Sequence, residues 1–220
     1  MMHAPPDSDL RLRLTEIFYS LQGESVHVGL PTVFVRLTGC PLRCTYCDTS
    51  YAFKGGRYWT LPALLDKIAT YNCPYICITG GEPLAQPACL PLLQRLEQHY
   101  QVSLETSGAL SIQSVPSGVM IVMDIKTPYS QEADKNRWEN LAYLKPTDQV
   151  KFVLGNRADY EWAKQQLHLH ALPQKAGILF SPSFHELNAT TLAEWILQDR
   201  LPVRMQIQLH KHLWHDDPGR

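Results

Sequence analysis

What this chain lacks narrows its function before any motif is read. It carries almost no net charge: 20 Lys and Arg against 21 Asp and Glu leave −1 at neutral pH. Nucleic acids and anionic membrane surfaces usually select a clear basic excess, so neither is an expected partner. No apolar run reaches the roughly 18–20 residues that cross a bilayer. The polar opening MMHAPPDSDLRLR does not read as a signal peptide, so a cytoplasmic, reducing setting is expected. Composition breaks, low-complexity tracts and long linkers are also missing. A chain of 220 residues, against about 100–200 per typical domain, is expected to form a single domain over 1–220.

The first strand-like run is not followed by a Gly-rich dinucleotide fingerprint, which counts against a doubly wound nucleotide-binding sheet. What is present instead is a regular alternation. Short apolar, β-rich runs occur at Thr32–Leu37, Tyr75–Thr79, Val102–Glu105, Val119–Lys126, Gln149–Leu154, Gly177–Ser181 and Val203–Leu209. Helix-like stretches fall between several of them, at Leu61–Tyr71, Pro87–Tyr100, Ala158–His168 and Thr190–Asp199. Such alternation argues for βα units and a parallel sheet. The expected fold is α/β: a partial, laterally open (β/α) barrel of about six parallel strands, with Leu12–Tyr19 as an added N-terminal edge strand. The span 128–146 shows no clear period and reads as helix plus loop.

Chemically capable residues cluster just beyond these strands. Cys40–Cys47 follow the first, Gly80-Gly81-Glu82 the second and Glu105-Thr106-Ser107 the third. Asp124 and Lys126 end the fourth, Ser181 and Ser183 a later one, and His210 and Lys211 the last. In a parallel α/β fold those ends share the ligand-binding face, so these residues are expected to converge.

Of six cysteines, three lie within eight residues as Cys40-Pro-Leu-Arg-Cys44-Thr-Tyr-Cys47. Thiolates so spaced can wrap one metal centre, and soft sulfur suits iron–sulfur clusters or zinc. A structural zinc or a closed cluster wants four ligands, and no fourth lies nearby. A C-x-x-C thiol–disulfide pair over Cys44 and Cys47 would leave Cys40 unexplained. A cluster with three protein ligands keeps one iron open. Cys73, Cys77 and Cys89 read as small buried hydrophobes.

The C-x-x-x-C-x-x-C loop, with aromatic Tyr46 before its last cysteine, resembles the motif of the radical S-adenosylmethionine (SAM) superfamily. Thr79-Gly80-Gly81-Glu82-Pro83 resembles that superfamily's Gly-Gly-Glu segment. Nearly the whole chain is further similar to the 7-carboxy-7-deazaguanine synthase family of queuosine-precursor biosynthesis. The residues that carry this are Phe18-Tyr-Ser-Leu-Gln-Gly-Glu24, Gly29-x-Pro-x-Val-Phe-Val-Arg36-Leu-x-Gly-Cys40 and Cys47-Asp-Thr49. Ile78-Thr-Gly-Gly-Glu-Pro83, Glu105-Thr-Ser-Gly108, Asp124-Ile-Lys126 and Gln208-Leu-His-Lys211 continue it.

The resemblance implies a [4Fe–4S] cluster on Cys40, Cys44 and Cys47, whose open iron binds SAM for cleavage to a 5′-deoxyadenosyl radical. It implies a lyase reaction: 6-carboxy-5,6,7,8-tetrahydropterin becomes 7-carboxy-7-deazaguanine, with ring contraction and loss of ammonia. No side chain is assigned a catalytic role. Thr49 is the expected Mg²⁺ ligand. Tyr46, Cys47, Asp48, Gly80, Gly81, Glu82, Glu105, Ser107, Asp124, Ile125 and Lys126 are the expected SAM contacts. Leu21, Gln22 and Gly23 would touch the pterin through the main chain, and Glu24 would read its amino-pyrimidine edge. Arg36 would pair with the substrate carboxylate, with Thr79 and His210 also at the substrate. An electron donor such as flavodoxin or ferredoxin is implied, and base rates favour a homodimer. Two rivals stand beside this: an activase for glycyl-radical enzymes, and a non-catalytic iron–sulfur or zinc protein. The run Leu213–Arg220 departs from family members that place a terminal carboxylate at the pterin.

Overall fold

A computed structural model describes residues 9–215, 217 and 219. The opening residues before Asp9, and Arg220 with the terminal carboxylate, lie outside the described residues. One nine-stranded sheet organises the chain: β1 (Arg11–Leu21), β2 (Pro31–Leu37), β3 (Arg57–Thr60), β4 (Tyr75–Gly80), β5 (Gln101–Thr106), β6 (Met120–Asp124), β7 (Gln149–Leu154), β8 (Gly177–Pro182) and β9 (Arg204–Met205). Its order is β3-β1-β2-β4-β5-β6-β7-β8-β9. From β2 to β9 every neighbouring pair is parallel and in chain order, whereas β1 runs antiparallel to both β2 and β3. A monotonic order with right-handed crossovers winds the connections to one side. That is the winding of a (β/α) barrel, here left open with β3 and β9 at its two edges.

Four α-helices connect or follow the strands: α1 (Leu61–Ala69), α2 (Cys89–Leu96), α3 (Arg157–Leu169) and α4 (Ala189–Asp199), and α5 (Leu209–Trp214) follows β9. Three of them start on side chains chosen for the purpose. Thr60, Asn156 and Asn188 accept from the backbone N–H three residues on, satisfying donors that a helix leaves open at its start.

Three expectations need correction. The N-terminal strand is an edge only over its second half, because β3 covers Arg11–Leu14; Arg57-Tyr-Trp-Thr60 is short and only partly buried, so it carries little strand signal. The last strand shrinks from seven residues to Arg204–Met205, and Leu209 already begins α5. The span 128–146 holds no α-helix but three short 3₁₀ turns. Contacts with distant segments hold it: Asp159 accepts from Thr127 Oγ1 and Tyr129 N, and Asn140 Nδ2 of the span donates to Gly108 O and Leu110 O. Turns fixed by remote partners need no hydrophobic period of their own.

The strands divide their residues strictly by parity. Val33, Val35 and Leu37 of β2, Ile76 and Ile78 of β4, and Val102 and Leu104 of β5 join one buried apolar cluster. Ile121 and Met123 of β6, Val150, Phe152 and Leu154 of β7, and Ile178 and Phe180 of β8 join a second. The alternate residues, among them Phe34, Arg36, Thr79, Glu105, Val122, Asp124, Lys151 and Val153, line a cavity on the opposite face. Period-two alternation thus separates packing from chemistry along each strand.

Candidate active site

The cavity has a volume of about 580 Å³, within the range of small-molecule sites. It opens between the cysteine loop, the segment after β1, the carboxyl ends of β2 and β4–β8, and α5. Nearly all the residues singled out from the sequence line it; Glu82, Ile125 and Ser181 do not.

Cys40, Cys44 and Cys47 are free, half-buried and all on the cavity wall. Three thiols side by side on one wall fit a [4Fe–4S] cluster, which takes each thiolate on a different iron. Burial pushes the Cys44 thiol up to about 11 and raises Cys40 and Cys47 as well. Without metal these are thiols, and cluster binding must displace their protons.

The Gly-Gly-Glu segment proves to be the brace of that loop. Gly81 N donates to Leu37 O and Glu82 N donates to Gly39 O, tying the end of β4 to the root of the cysteine loop. A Cβ on Gly81 would fall 2.3 Å from Gly39 O and 2.8 Å from Cys40 Cβ. Gly80 adopts φ +151, where its own Cβ would meet Leu37 O at 2.3 Å. Only glycine permits this approach. The Glu82 side chain, expected near SAM, does not line the cavity. Fully buried, it accepts from Leu84 N, Thr106 Oγ1, Ser107 N and Ser107 Oγ, and so locks the β4 and β5 turns together from beneath. Ile125 likewise turns into the apolar core, leaving only its backbone for a ligand.

Arg36 is aimed by a β-bulge. Register shifts between Leu14 and Glu16 of β1, so Leu14 stays in the core while Glu16 swings to the cavity face beside Arg36. Arg36 Nε donates to Glu16 Oε1 at 2.7 Å, and Tyr51 Oη donates to the same oxygen at 2.8 Å. Burial opposes the guanidinium charge, but Tyr51, Glu16 and Glu105 hold it firmly protonated. With Nε engaged, the Nη edge is the one left to grip an incoming carboxylate.

The segment after β1 is folded upon itself. Gln22 N donates to Leu30 O and Gln22 O accepts from Gly29 N, so the Gln22 main chain is spent on the loop. Gln22 reaches the site by its side chain instead, with Nε2 3.4 Å from Glu105 Oε1. Glu105 Oε2 also accepts from Thr79 Oγ1 at 2.8 Å, which sets Glu105 among the expected pterin contacts rather than at SAM alone. Gly23 O accepts from Leu209 N, and a Cβ on Gly23 would strike His210 Nδ1 at 2.1 Å. The imidazole of His210 therefore lies directly on Gly23. Burial lowers its pKa, leaving it neutral at pH 7.

At the other end of the cavity, Thr49 Oγ1 donates to Asp48 Oδ1 at 2.7 Å. Desolvation alone would raise the Asp48 carboxyl, yet Thr49 and the charges of Lys211, Lys151 and Arg36 hold it low. Lys126 Nζ sits 3.0 Å from Asp124 Oδ2 and faces the Tyr46 ring at 6.0 Å. Lys151, Glu16 and Tyr51 were not expected from the motifs, and Gln208 stood in one without a role. Lys151 had one legible sign, a lone cation inside the apolar run Gln149-Val-Lys-Phe-Val-Leu154.

Comparison with known proteins fits this geometry. The radical SAM superfamily model matches residues 34–131, which span the cysteine loop through β6. A 7-carboxy-7-deazaguanine synthase from Chlorobaculum tepidum is 43% identical over 210 residues, covering 94% of this chain and 96% of that protein. The synthase of Koribacter versatilis is 42% identical over 221 residues, with 92% and 97% covered. This chain belongs to the 7-carboxy-7-deazaguanine synthase family. A structure of QueE from Escherichia coli has the same fold, with a TM-score of 0.77 at 22% identity over 93% of this chain and 96% of that one. These synthase relatives lend nothing to the activase or to a non-catalytic metal protein. Family membership carries the radical SAM cluster and SAM with it. Among the described residues no helix is long and apolar enough to cross a membrane.

Proposed function

We propose that this chain converts 6-carboxy-5,6,7,8-tetrahydropterin to 7-carboxy-7-deazaguanine and ammonia. The observation that carries the reading is spatial. The three loop thiols, expected at the cluster, and Gln22, Glu24, Arg36 and Thr79, expected at the pterin, line one cavity. The product equals the substrate less ammonia, so no net oxidant or reductant is consumed and SAM can be regenerated.

The cluster, held by Cys40, Cys44 and Cys47, and its bound SAM supply an electron and a hydrogen-abstracting radical. The chain's own residues bind, orient and exclude water. Arg36, aimed by Glu16 and Tyr51, receives the substrate carboxylate on its Nη edge. Glu24 accepts from the amino-pyrimidine edge, while Gln22, Thr79 and Glu105 form one hydrogen-bonded wall beside it. His210 closes the pocket over Gly23 as a neutral ring. Tyr46, Asp48, Gly81, Ser107, Asp124 and Lys126 are the SAM contacts in this reading. Asp124 Oδ1, buried and without a partner, is an acceptor waiting for one. Thr49 and Asp48 offer oxygen to Mg²⁺, a cation that keeps most of its waters.

A flavodoxin- or ferredoxin-type donor supplies the electron, and a reducing cytoplasm keeps the loop thiols ready for the cluster. A C2 homodimer completes the reading on base rate. The test is anaerobic turnover of reconstituted, reduced protein with SAM, Mg²⁺ and the pterin, read by mass spectrometry. Formation of 7-carboxy-7-deazaguanine, absent with Cys44→Ala, is the expected result. SAM cleavage without that product would overturn the substrate.

A further inference from the structure

The cavity floor holds a cation that no expected contact uses. Lys151 is the third residue of β7, flanked by Val150 and Phe152, which are fully buried on the other face. Its side chain is only 13% exposed. Nζ lies 2.7 Å from Glu24 Oε2 and 3.6 Å from Asp124 Oδ2. Glu105 on β5 adds a third carboxylate to its surroundings. Burial alone would favour the neutral amine, but Glu24, Asp124 and Glu105 hold the ammonium charged. The other charges facing this group are Lys126 beside Asp124, Asp48 from the cysteine loop, and the titratable His210 of α5 near Glu24.

The two carboxylates that Lys151 joins belong to different ligands. Glu24 is the proposed reader of the amino-pyrimidine edge, and Asp124 stands in the proposed SAM segment. Asp124 also has Lys126 at 3.0 Å and Glu105 faces Arg36, whereas Glu24 has Lys151 at 2.7 Å. A carboxylate held by that contact turns acceptor oxygens to the N–H donors of an aminopyrimidine.

We propose that Lys151 is a positioning residue that anchors the Glu24 carboxylate and fixes it in register with Asp124, so that pterin and SAM are held against one another. This rests on the synthase reading above.

The test compares wild type with Lys151→Met, Lys151→Arg, Glu24→Gln and the double variant Glu24→Gln/Lys151→Met, at matched iron and sulfide content. Pterin affinity is measured anaerobically by equilibrium dialysis, beside kcat. Lys151→Met should weaken pterin binding by about tenfold to a hundredfold. Glu24→Gln should also bind weakly, and the double variant should be no worse than Glu24→Gln alone. Lys151→Arg keeps the charge but not the geometry, so affinity should hold while kcat falls roughly tenfold or more. That variant carries the test if the methionine variant does not fold.

Pterin binding by Lys151→Met within twofold of wild type, a double variant that binds worse than Glu24→Gln alone, or wild-type kcat in Lys151→Arg would each overturn the inference. If wild type itself binds no pterin, the synthase reading fails first. If wild type binds and turns it over while the variants match it, only the role of Lys151 falls.

Discussion

Each parallel strand of this protein carries two faces that obey different rules. On β5, Val102 and Leu104 pack into an apolar cluster, while Glu105 between Leu104 and Thr106 looks into the cavity. On β7, Val150 and Phe152 are core, and Lys151 between them is a buried charge. The apolar face is held by non-directional burial and asks only for volume and shape. The cavity face is held by pairs, and each member loses its partner if the other is removed. Stability and function are therefore separable residue by residue within a single strand.

Glu82 tests the comparison hardest, because it lies near the cavity yet serves the frame. Glu82→Ala strips the acceptor from four donors, three of them buried. It should cost about 3–5 kcal/mol, since each buried donor left unpaired costs about 1–3 kcal/mol. Thermal melting should then fall by roughly 6–20 °C for a chain of this size. A melting point within two degrees of wild type would return Glu82 to the ligand side.

The neighbouring pair on β5 sharpens the contrast. Leu104→Ala should lose about 2–5 kcal/mol of stability through the cavity it leaves, with the Michaelis constant for the pterin nearly unchanged. Glu105→Gln should do the reverse: little change in melting, with pterin affinity reduced roughly tenfold by the weakened hydrogen bonds to Gln22 and Thr79. If both variants change stability alike, the two faces are not independent.

How much of this was legible beforehand follows the same division. The parallel strands, the cysteine loop and the convergence of strand ends were readable because hydrophobic period and motif spacing are local properties. Residues whose roles depend on distant partners were not. Glu16 gains its place from a bulge, which no period announces. Glu82 sits in a motif that points to SAM, yet its partners Thr106 and Ser107 lie on the next strand. The brief edge strand Arg57–Thr60 pairs only with β1, and α5 is too short to show a helical period.

Smaller effects come from the lid of the site. Gly23→Ala should push His210 away and weaken pterin binding several-fold, with His210→Ala restoring part of the loss by making room. Failure of the second change to help would mean that the glycine serves the ligand and not the imidazole. The mildest effect is electrostatic. Burial lowers the pKa of His27, His170 and His210 below the usual 6.5. The unfolded chain thus takes up protons before the folded one, and stability should decline as pH falls from 7 through 6.5 and below. His210→Gln should flatten part of that slope in denaturant titrations at successive pH values.

The joining of Ser25 N to Gln206 Oε1 spans 181 residues of chain, and Gly23 O meets Leu209 N beside it. During synthesis the cysteine loop and the first parallel strands emerge and pair long before residues 206–211 leave the ribosome. A nascent chain can therefore own the sulfur ligands for its cluster while its reaction chamber still lacks a wall. Translation order makes containment the final event of maturation, and a product that stops short of Gln206 would keep a metal-binding loop with nothing to enclose the chemistry it starts.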